Sequence, residues 1–262
     1  MPELPEVETI VRGLCRRIIG RQIKKIEIRD RKLDAFPSGM ITGRCIKQIT
    51  RRGKYILMDV GLPKKIVFHL RMTGALLVRN DVESLKYLRL IFHLNQEFLV
   101  LEDKRRFATA DLMQPEAIEK KLGPEPLSDN FTLAYLAAEL KLSKMNLKSF
   151  LLDQKRIAGI GNIYASEIAF AAEIDPERKT GTLNARETVN LYRAVVQILN
   201  LACELRGTTF SDYRDTEGRS GGFQEQLTVF RKNGSPCPRC GAIIRRKVIG
   251  QRSTFFCHSC QK

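Results

Sequence analysis

Apolar residues recur along the opening of the chain with the period of a helix: Val7, Ile10, Val11, Leu14 and Ile18 fall on one face. Pro5 suits a first helical turn and Gly20 a stop, so a helix is predicted over 5–19. From about 22 to 110 the period shortens. Segments 23–28, 55–60, 65–70, 87–93 and 97–101 read as strands separated by turn-forming stretches, the pattern of an antiparallel sandwich or barrel. Residues 123–130 hold two prolines, a glycine and a Ser-Asp-Asn cluster, which reads as a linker with a helix N-cap at its end. Helical patterns follow at 133–140, 146–152, 164–172 and 185–205, and 225–262 is a small β-rich tail. The order, strands first and helices after, makes this an α+β chain of more than one domain.

Composition adds a partner class. The 262 residues carry 45 Lys and Arg against 29 Asp and Glu, a net charge of +16 that points to a polyanion, nucleic acid before an anionic membrane surface. Hydrophobic residues at 43% and charged residues at 28% exclude a disordered or fibrous chain. No apolar run approaches the roughly 18 residues of a membrane span, and Glu3, Glu6 and Glu8 are unlike a signal peptide, so the expectation is a cytoplasmic protein with no membrane partner.

Cysteine spacing gives the sharpest local signal. Cys237, Cys240, Cys257 and Cys260 form two C-x2-C pairs sixteen residues apart, the pattern of a four-thiolate zinc site. One structural Zn2+ is expected, stapling a hairpin with its tip at Gly250, Gln251 and Arg252, with His258 a solvated bystander. Cys15, Cys45 and Cys203 stand alone and read as small hydrophobes. Gly159-Ile160-Gly161-Asn162 separates two helical patterns; it suits a phosphate at exposed N–H groups, with Asn162 capping the second helix and Lys148 nearby, and equally suits a plain turn between packed helices.

At the N-terminus, removal of Met1 would leave Pro2 as a secondary α-amine. An α-amino group titrates at roughly 7.7–8.0, well below lysine, so a neutral nucleophile exists at physiological pH, and the following helix lowers it further. Such an amine can form an iminium with an aldehyde-like carbon, with Glu3 and Glu6 as proton-transfer candidates. From composition alone, Pro2 is an extended lead into the helix. Arg51 to Lys54 forms a basic turn, His69 to Gly74 ends a strand on Met72, and Asp103 to Phe107 sets basic residues beside one aromatic, as an intercalating wedge requires and as a strand end with a core Phe also explains.

Read together, Met1-Pro2-Glu3-Leu4-Pro5-Glu6-Val7-Glu8, Arg52-Gly53-Lys54-Tyr55, His69-x-x-Met72-Thr73-Gly74, Asp103-x-Arg105-Arg106-Phe107, residues 122–128, Leu151-Leu152-Asp153-Gln154, residues 159–167 and the cysteine hairpin ending Cys260-Gln261-Lys262 resemble, in order, the bacterial formamidopyrimidine-DNA glycosylase family. The resemblance implies a catalytic β-sandwich domain with a flanking helix over 1–125. It implies a DNA-binding helix-two-turn-helix domain with a lesion-recognition loop over 126–224, and a zinc finger over 225–262. It implies excision of oxidised purines, 8-oxoguanine and formamidopyrimidines, from double-stranded DNA, followed by strand cleavage at the abasic site by a monomer in the bacterial cytosol, associated with the nucleoid.

Carried onto this chain, the resemblance makes Pro2 the nucleophile at C1′, Glu3 the acid/base that opens the sugar, Lys54 the proton donor for β-elimination and Arg252 that for δ-elimination, with Glu6 in support. Met72, Arg105 and Phe107 fill the void left by the flipped base, and His69, Lys86, Lys148 and Asn162 complete the DNA contacts. The chain departs from the family at Lys86 and Leu88, where His is common, at Arg206 and Arg231, where Gly is usual, and at Ala108, Gly222 and Phe230. An endonuclease VIII-like enzyme for oxidised pyrimidines is the sister reading, which Leu4 and the three wedge residues disfavour. A noncatalytic zinc-ribbon nucleic-acid binder is the reading from another class, and it gives no reason for Pro2-Glu3 or Lys54.

Overall fold

The computed structural model describes residues 1–210 and 212–262. They form two compact units, Met1–Lys120 with Cys203–Gln224, and Lys121–Ala202 with Glu225–Lys262. The stretch 203–224, which the resemblance assigns to the helical domain, groups with the N-terminal unit. Of the expected recognition loop 207–223, Ser211 lies outside the described residues.

In the first unit, helix α1 (Leu4–Ile18) is followed by β1 (Lys25–Ile28), the short helix α2 (Ser38–Ile41), β2 (Gln48–Arg52), β3 (Tyr55–Asp59), β4 (Lys65–His69), β5 (Ala75–Arg79), β6 (Leu88–His93), β7 (Phe98–Glu102), β8 (Thr109–Met113) and the short helix α3 (Glu116–Glu119). The strands form two four-stranded antiparallel sheets, ordered β1-β6-β7-β5 and β2-β3-β4-β8. Phe68, Phe92, Ile56, Leu90 and Leu101 pack between them with Val7, Ile10, Leu14 and Ile18 of α1 in one continuous core. Burying each such side chain contributes roughly 1.5–3 kcal/mol. The first sheet also buries Ala75, Leu77, Ile91 and Val100 on its other face, under Val82 and Leu85.

The periodicity finds α1 and five of the strands. It passes over β2, β5 and β8: charged residues interrupt β2 and β8, and β5 is a short unbroken apolar run with no alternation to mark it.

The second unit contains α4 (Leu133–Leu142), α5 (Leu147–Leu152), α6 (Asn162–Ala171), α7 (Ala185–Glu204, whose last two residues belong to the first unit) and a hairpin of β9 (Arg245–Ile249) and β10 (Arg252–Phe256). The cap of α4 is Thr132, whose hydroxyl accepts from Tyr135 N–H, two residues beyond the Ser-Asp-Asn cluster expected to supply it. Between α5 and α6, Gln154 pins the turn. Its amide donates to the carbonyls of Leu152 and Ile160 and its oxygen accepts from Gly159 N–H, with Gly159 at φ +86°, a conformation that favours glycine. Among the described residues, no helix is long and apolar enough to cross a membrane.

Candidate active site and nucleic-acid interface

Glu3 is the N-cap of α1 and Pro5 sits in its first turn, so the helix begins immediately after Pro2. Pro2 and Glu3 are both buried. Glu3 N–H donates to Glu6 Oε2 at 2.7 Å, and the other Glu6 oxygen accepts from Thr208 N–H at 2.7 Å. The Tyr213 hydroxyl donates to the carbonyls of Glu6 and Arg206. Gly207, at φ +74°, lies so close that a Cβ there would stand 2.5 Å from Glu6 Oε1. Glu6, expected as a proton-transfer candidate, has both oxygens taken by backbone N–H groups, which suits a clamp between the N-terminus and the loop. Thr208 and Tyr213 escape the sequence reading, since a lone Thr and a lone Tyr in a polar loop carry no pattern.

Lys54 follows Gly53 (φ +56°) in the two-residue turn closing the β2–β3 hairpin, where Arg52 faces Tyr55. That hairpin packs on α1, and Arg51 Nε donates to Glu8 at 2.9 Å across the contact. Lys54 is buried, as is His69 on the adjacent strand, whose ring lies edge-on to Tyr55 at 4.7 Å. His69 Nδ1 accepts from Arg71 N–H at 3.0 Å. Burial first, then the charges of Arg71 and Lys54, hold the imidazole down to about 4. His69 is therefore a neutral ring at neutral pH and meets a ligand as a hydrogen-bond partner, without a charge.

The shift has a sign that stability measurements read. An unfolded histidine takes up its proton near pH 6.5, while the folded ring refuses it down to about 4. Across that window the unfolded state binds the extra proton, so stability rises with pH and is lost on acidification, by about 3 kcal/mol in total. Urea unfolding at stepped pH is expected to show this fall, and His69→Gln to remove it; an equal fall in the variant would assign the acid sensitivity to other groups.

Met72, Arg105 and Phe107 come together on two adjacent loops of the first unit. Met72 and Phe107 are 45% and 47% exposed, high for apolar side chains of their size, so the core explanation for both is set aside. The Arg105 guanidinium lies 4.9 Å from the Phe107 ring centre and 3.3 Å from Met72 Sδ, holding the trio as one protrusion. Behind it, Asp103 is the loop's hub. Its carboxylate accepts from the N–H groups of Arg105, Phe107 and Ala108 and from the Thr73 hydroxyl. Burial pushes this carboxyl up, but those donors outweigh it and hold it below the usual aspartate range. Ala108 does not have a positive φ, which is why it stands without cost where the family has glycine; Arg206 and Arg231 do, at φ +62° and +61°. Lys86 is exposed at a cavity of about 530 Å3 that Arg29, Arg31, Lys104 and Arg106 also line, a basic surface beside the protrusion.

In the second unit the structure corrects two expectations. Lys148 is 0% exposed, and its Nζ donates to the Asn162 carbonyl at 3.0 Å and to Ser166 Oγ at 2.8 Å. It braces the first turn of α6 from inside the fold, in place of the direct phosphate contact expected from its charge. Asn162 does not cap α6: Gly161 is the N-cap, and Asn162 Nδ2 reaches across to the Ser253 carbonyl at 3.0 Å, tying the helix start to the hairpin. Both misreadings have one cause, since spacing along a chain does not tell whether a polar side chain faces water or another element.

Arg252 begins β10 and is exposed, at the end of a two-residue turn in which Gly250 and Gln251 are both at positive φ. The four cysteine sulfurs lie within 4.8 Å of one another, the only such cluster among the described residues, with His258 exposed outside it. Tetrahedral zinc at its usual bond length sets sulfurs about 3.8 Å apart. Cys237–Cys260 and Cys240–Cys257 stand at 3.9 and 3.5 Å, so the residues present fit the ion. The hairpin is fastened to the end of α6: Gln261 bridges Cys257 N–H and the Ile174 carbonyl, and Lys262 exchanges main-chain bonds with Glu173 and Asp175. Glu167 on α6 receives the N–H groups of Thr228, Val229 and Phe230, and Phe230 packs edge-on to Phe255 at 5.1 Å.

Comparison with known proteins places these features in context. Residues 1–110 match the formamidopyrimidine-DNA glycosylase N-terminal domain, 122–214 its H2TH domain, and 234–262 the zinc finger found in FPG and IleRS. The chain is 42% identical over 275 residues to the formamidopyrimidine-DNA glycosylase of Desulforamulus reducens, covering all of this chain and 99% of the relative. It is 43% identical over 269 residues to that of Carboxydothermus hydrogenoformans, covering both completely. Among solved structures, Lactococcus lactis Fpg in complex with abasic-site DNA superposes with a TM-score of 0.92 at 34% identity over 99% of each chain. Thermus thermophilus MutM (Fpg) gives 0.90 at 38% identity over 99% of this chain and 98% of the other.

Proposed function

The chain belongs to the formamidopyrimidine-DNA glycosylase family, and on that premise we propose how its own residues divide the work. It is a DNA glycosylase and abasic-site lyase of base excision repair. Once Met1 is removed, the Pro2 amine attacks C1′ of the damaged nucleotide. The C1′–N bond to the base breaks and the base leaves with the amine's proton, so that Pro2 and O4′ share C1′; the iminium joining protein and sugar forms when the C1′–O4′ bond then opens. Glu3 supplies the proton that opens the sugar ring at O4′. Loss of the C2′ proton then expels the 3′ phosphate, with Lys54 serving proton transfer, and a second elimination with Arg252 expels the 5′ phosphate; water releases Pro2.

The single observation that carries this reading is the clamp at Glu6, which buries Pro2-Glu3 at the start of α1 and joins it to the loop at Thr208. A chain end that merely led into a helix would need no such anchor. Duplex DNA hides C1′, so the damaged nucleotide has to leave the stack at a cost of a few kcal/mol, and the exposed trio of Met72, Arg105 and Phe107 is suited to fill its place. Arg105 would pair with the orphaned cytosine, and His69, Lys86 and Asn162 would serve the backbone. A net charge of +16 supports binding that weakens steeply with salt. The substrate is double-stranded DNA carrying 8-oxoguanine, a formamidopyrimidine or an abasic site, met by a single chain in the cytosol of a bacterium. Oxidised pyrimidines are the second class to test, because the L. lactis enzyme has been solved with oxidised-pyrimidine DNA.

Borohydride trapping on duplexes carrying 8-oxoguanine opposite cytosine, an abasic site, or no damage tests the assignment. A crosslink with the first two, mapped to Pro2, is the expected result. Trapping of the abasic duplex alone would move the lesion preference elsewhere, and no trapping with either would return the chain to the noncatalytic reading.

A further inference from the structure

Arg89 is an odd residue for its place, a charge inside the apolar run Leu88-Arg89-Leu90-Ile91-Phe92. Strand β6 has a register shift against β7 between Leu88 and Leu90. Such a bulge re-aims one side chain, and Arg89 is left 2% exposed. Its Nε donates to Asp30 Oδ2 at 2.5 Å, its Nη1 donates to the Ala108 carbonyl, and the same nitrogen lies 3.8 Å from Asp103 Oδ2. Arg106 closes on Asp30 from the solvent side. One buried guanidinium thus backs the carboxylate that folds the loop 103–108 and the carbonyl at which that loop ends.

The loop needs such backing. Arg106, between the two wedge residues Arg105 and Phe107, and Arg71, just before Met72, both have φ +55°, a region that non-glycine residues occupy only when their surroundings hold them there. The Thr73 hydroxyl on Asp103 links the two loops. We infer that Arg89 and Asp30 are positioning residues for the wedge, acting through Asp103 and the Ala108 carbonyl on Arg105 and Phe107 without touching DNA. This rests on the reading of Met72, Arg105 and Phe107 as the group that replaces the flipped base.

A wedge held out of place slows the expulsion of a stacked base more than it slows cleavage at an abasic site, where no base has to leave. The quantity to measure is therefore the single-turnover rate of 8-oxoguanine excision opposite cytosine divided by that of strand cleavage at an abasic site opposite cytosine. Arg89→Lys keeps the charge but loses the planar fork that reaches several partners, and Asp30→Asn removes the charge Arg89 and Arg106 share. Both are expected to lower the ratio about tenfold, the scale on which small misplacements affect rates. Thermal unfolding of each variant is recorded beside the rates.

Phe107→Ala is the reference. If it leaves the ratio unchanged, the wedge reading itself fails. If it lowers the ratio while Arg89→Lys and Asp30→Asn do not, or if these two lose both activities equally, the positioning role is overturned and the cluster is a structural ion pair only. Should Arg89→Lys fail to fold, the ratio for Asp30→Asn decides.

Discussion

A chain in which Met1 is retained, for instance behind an N-terminal extension that is not processed, is expected to give no borohydride crosslink and to lose at least about a thousandfold in base excision, with duplex affinity within a fewfold of the processed protein. The reason is the electronic state of one nitrogen. In the Met1–Pro2 peptide the Pro2 nitrogen shares its lone pair with the carbonyl and is no nucleophile. As a free secondary amine it keeps that lone pair and can attack C1′.

Pro2→Gly tests the same atom more gently. A primary amine is restored, but the ring that fixes the backbone is gone from a buried position, so most activity is lost while binding persists. Single-turnover assays on lesion and abasic duplexes, with the N-terminus read by mass spectrometry, decide the matter. Full excision by a Met1-bearing chain would shift the nucleophile to another amine, with buried Lys54 the first to examine.

Removal of zinc is the second large effect. The hairpin contributes two five-residue strands, and β9 shows solvent all but one of its side chains, so it has too little apolar burial to stay folded on its own. A four-thiolate zinc site contributes on the order of 10 kcal/mol to the folding of so small a unit. Chelation, or Cys257→Ser at the most deeply buried ligand, is expected to release the segment from about 234 onward, including Arg252 and the Ser253 carbonyl that Asn162 grips. Duplex affinity should fall by about a hundredfold as the Arg252 cation leaves the DNA and Asn162 loses the carbonyl that orients it. The sandwich, which has its own core, should keep its melting transition. Metal content, circular dichroism and a binding titration on one preparation suffice, and unchanged affinity in metal-free protein would remove the zinc from the DNA-binding role.

Much of this was legible in the residues because it is local. The α1 stripe with Pro5 in its first turn, the turn at Gly250 and the paired C-x2-C motifs are written within a few positions of one another, and each has one good physical reading. The trio of Met72, Arg105 and Phe107 was legible only through the family pattern, since an exposed Met and a core Met look alike in a sequence. What stayed hidden depends on distant pairs. Nothing near Lys148 says that its ammonium ends on Ser166, nothing near Glu6 points to Thr208 two hundred residues on, and the bulge that turns Arg89 toward Asp30 is a property of strand pairing. Strands β2 and β8 escape notice because charged residues interrupt a short run, and β5 because an unbroken apolar run shows no alternation; pairing with neighbouring strands settles the conformation of all three.

The interleaving of the two units sets a timetable for synthesis. When a ribosome has made residues 1–120 it has made every strand of the sandwich, yet Thr208 and Tyr213, which Glu6 engages, are not polymerised until some ninety residues later. The helices of 121–202 wait in turn for 225–262, whose backbone Glu167 collects. Neither half can therefore be completed as an uninterrupted stretch of translation, and a nascent chain released early carries Pro2 without the loop that secures its surroundings. The surroundings of the proposed nucleophile are thus completed only after residues 208–213 have been made.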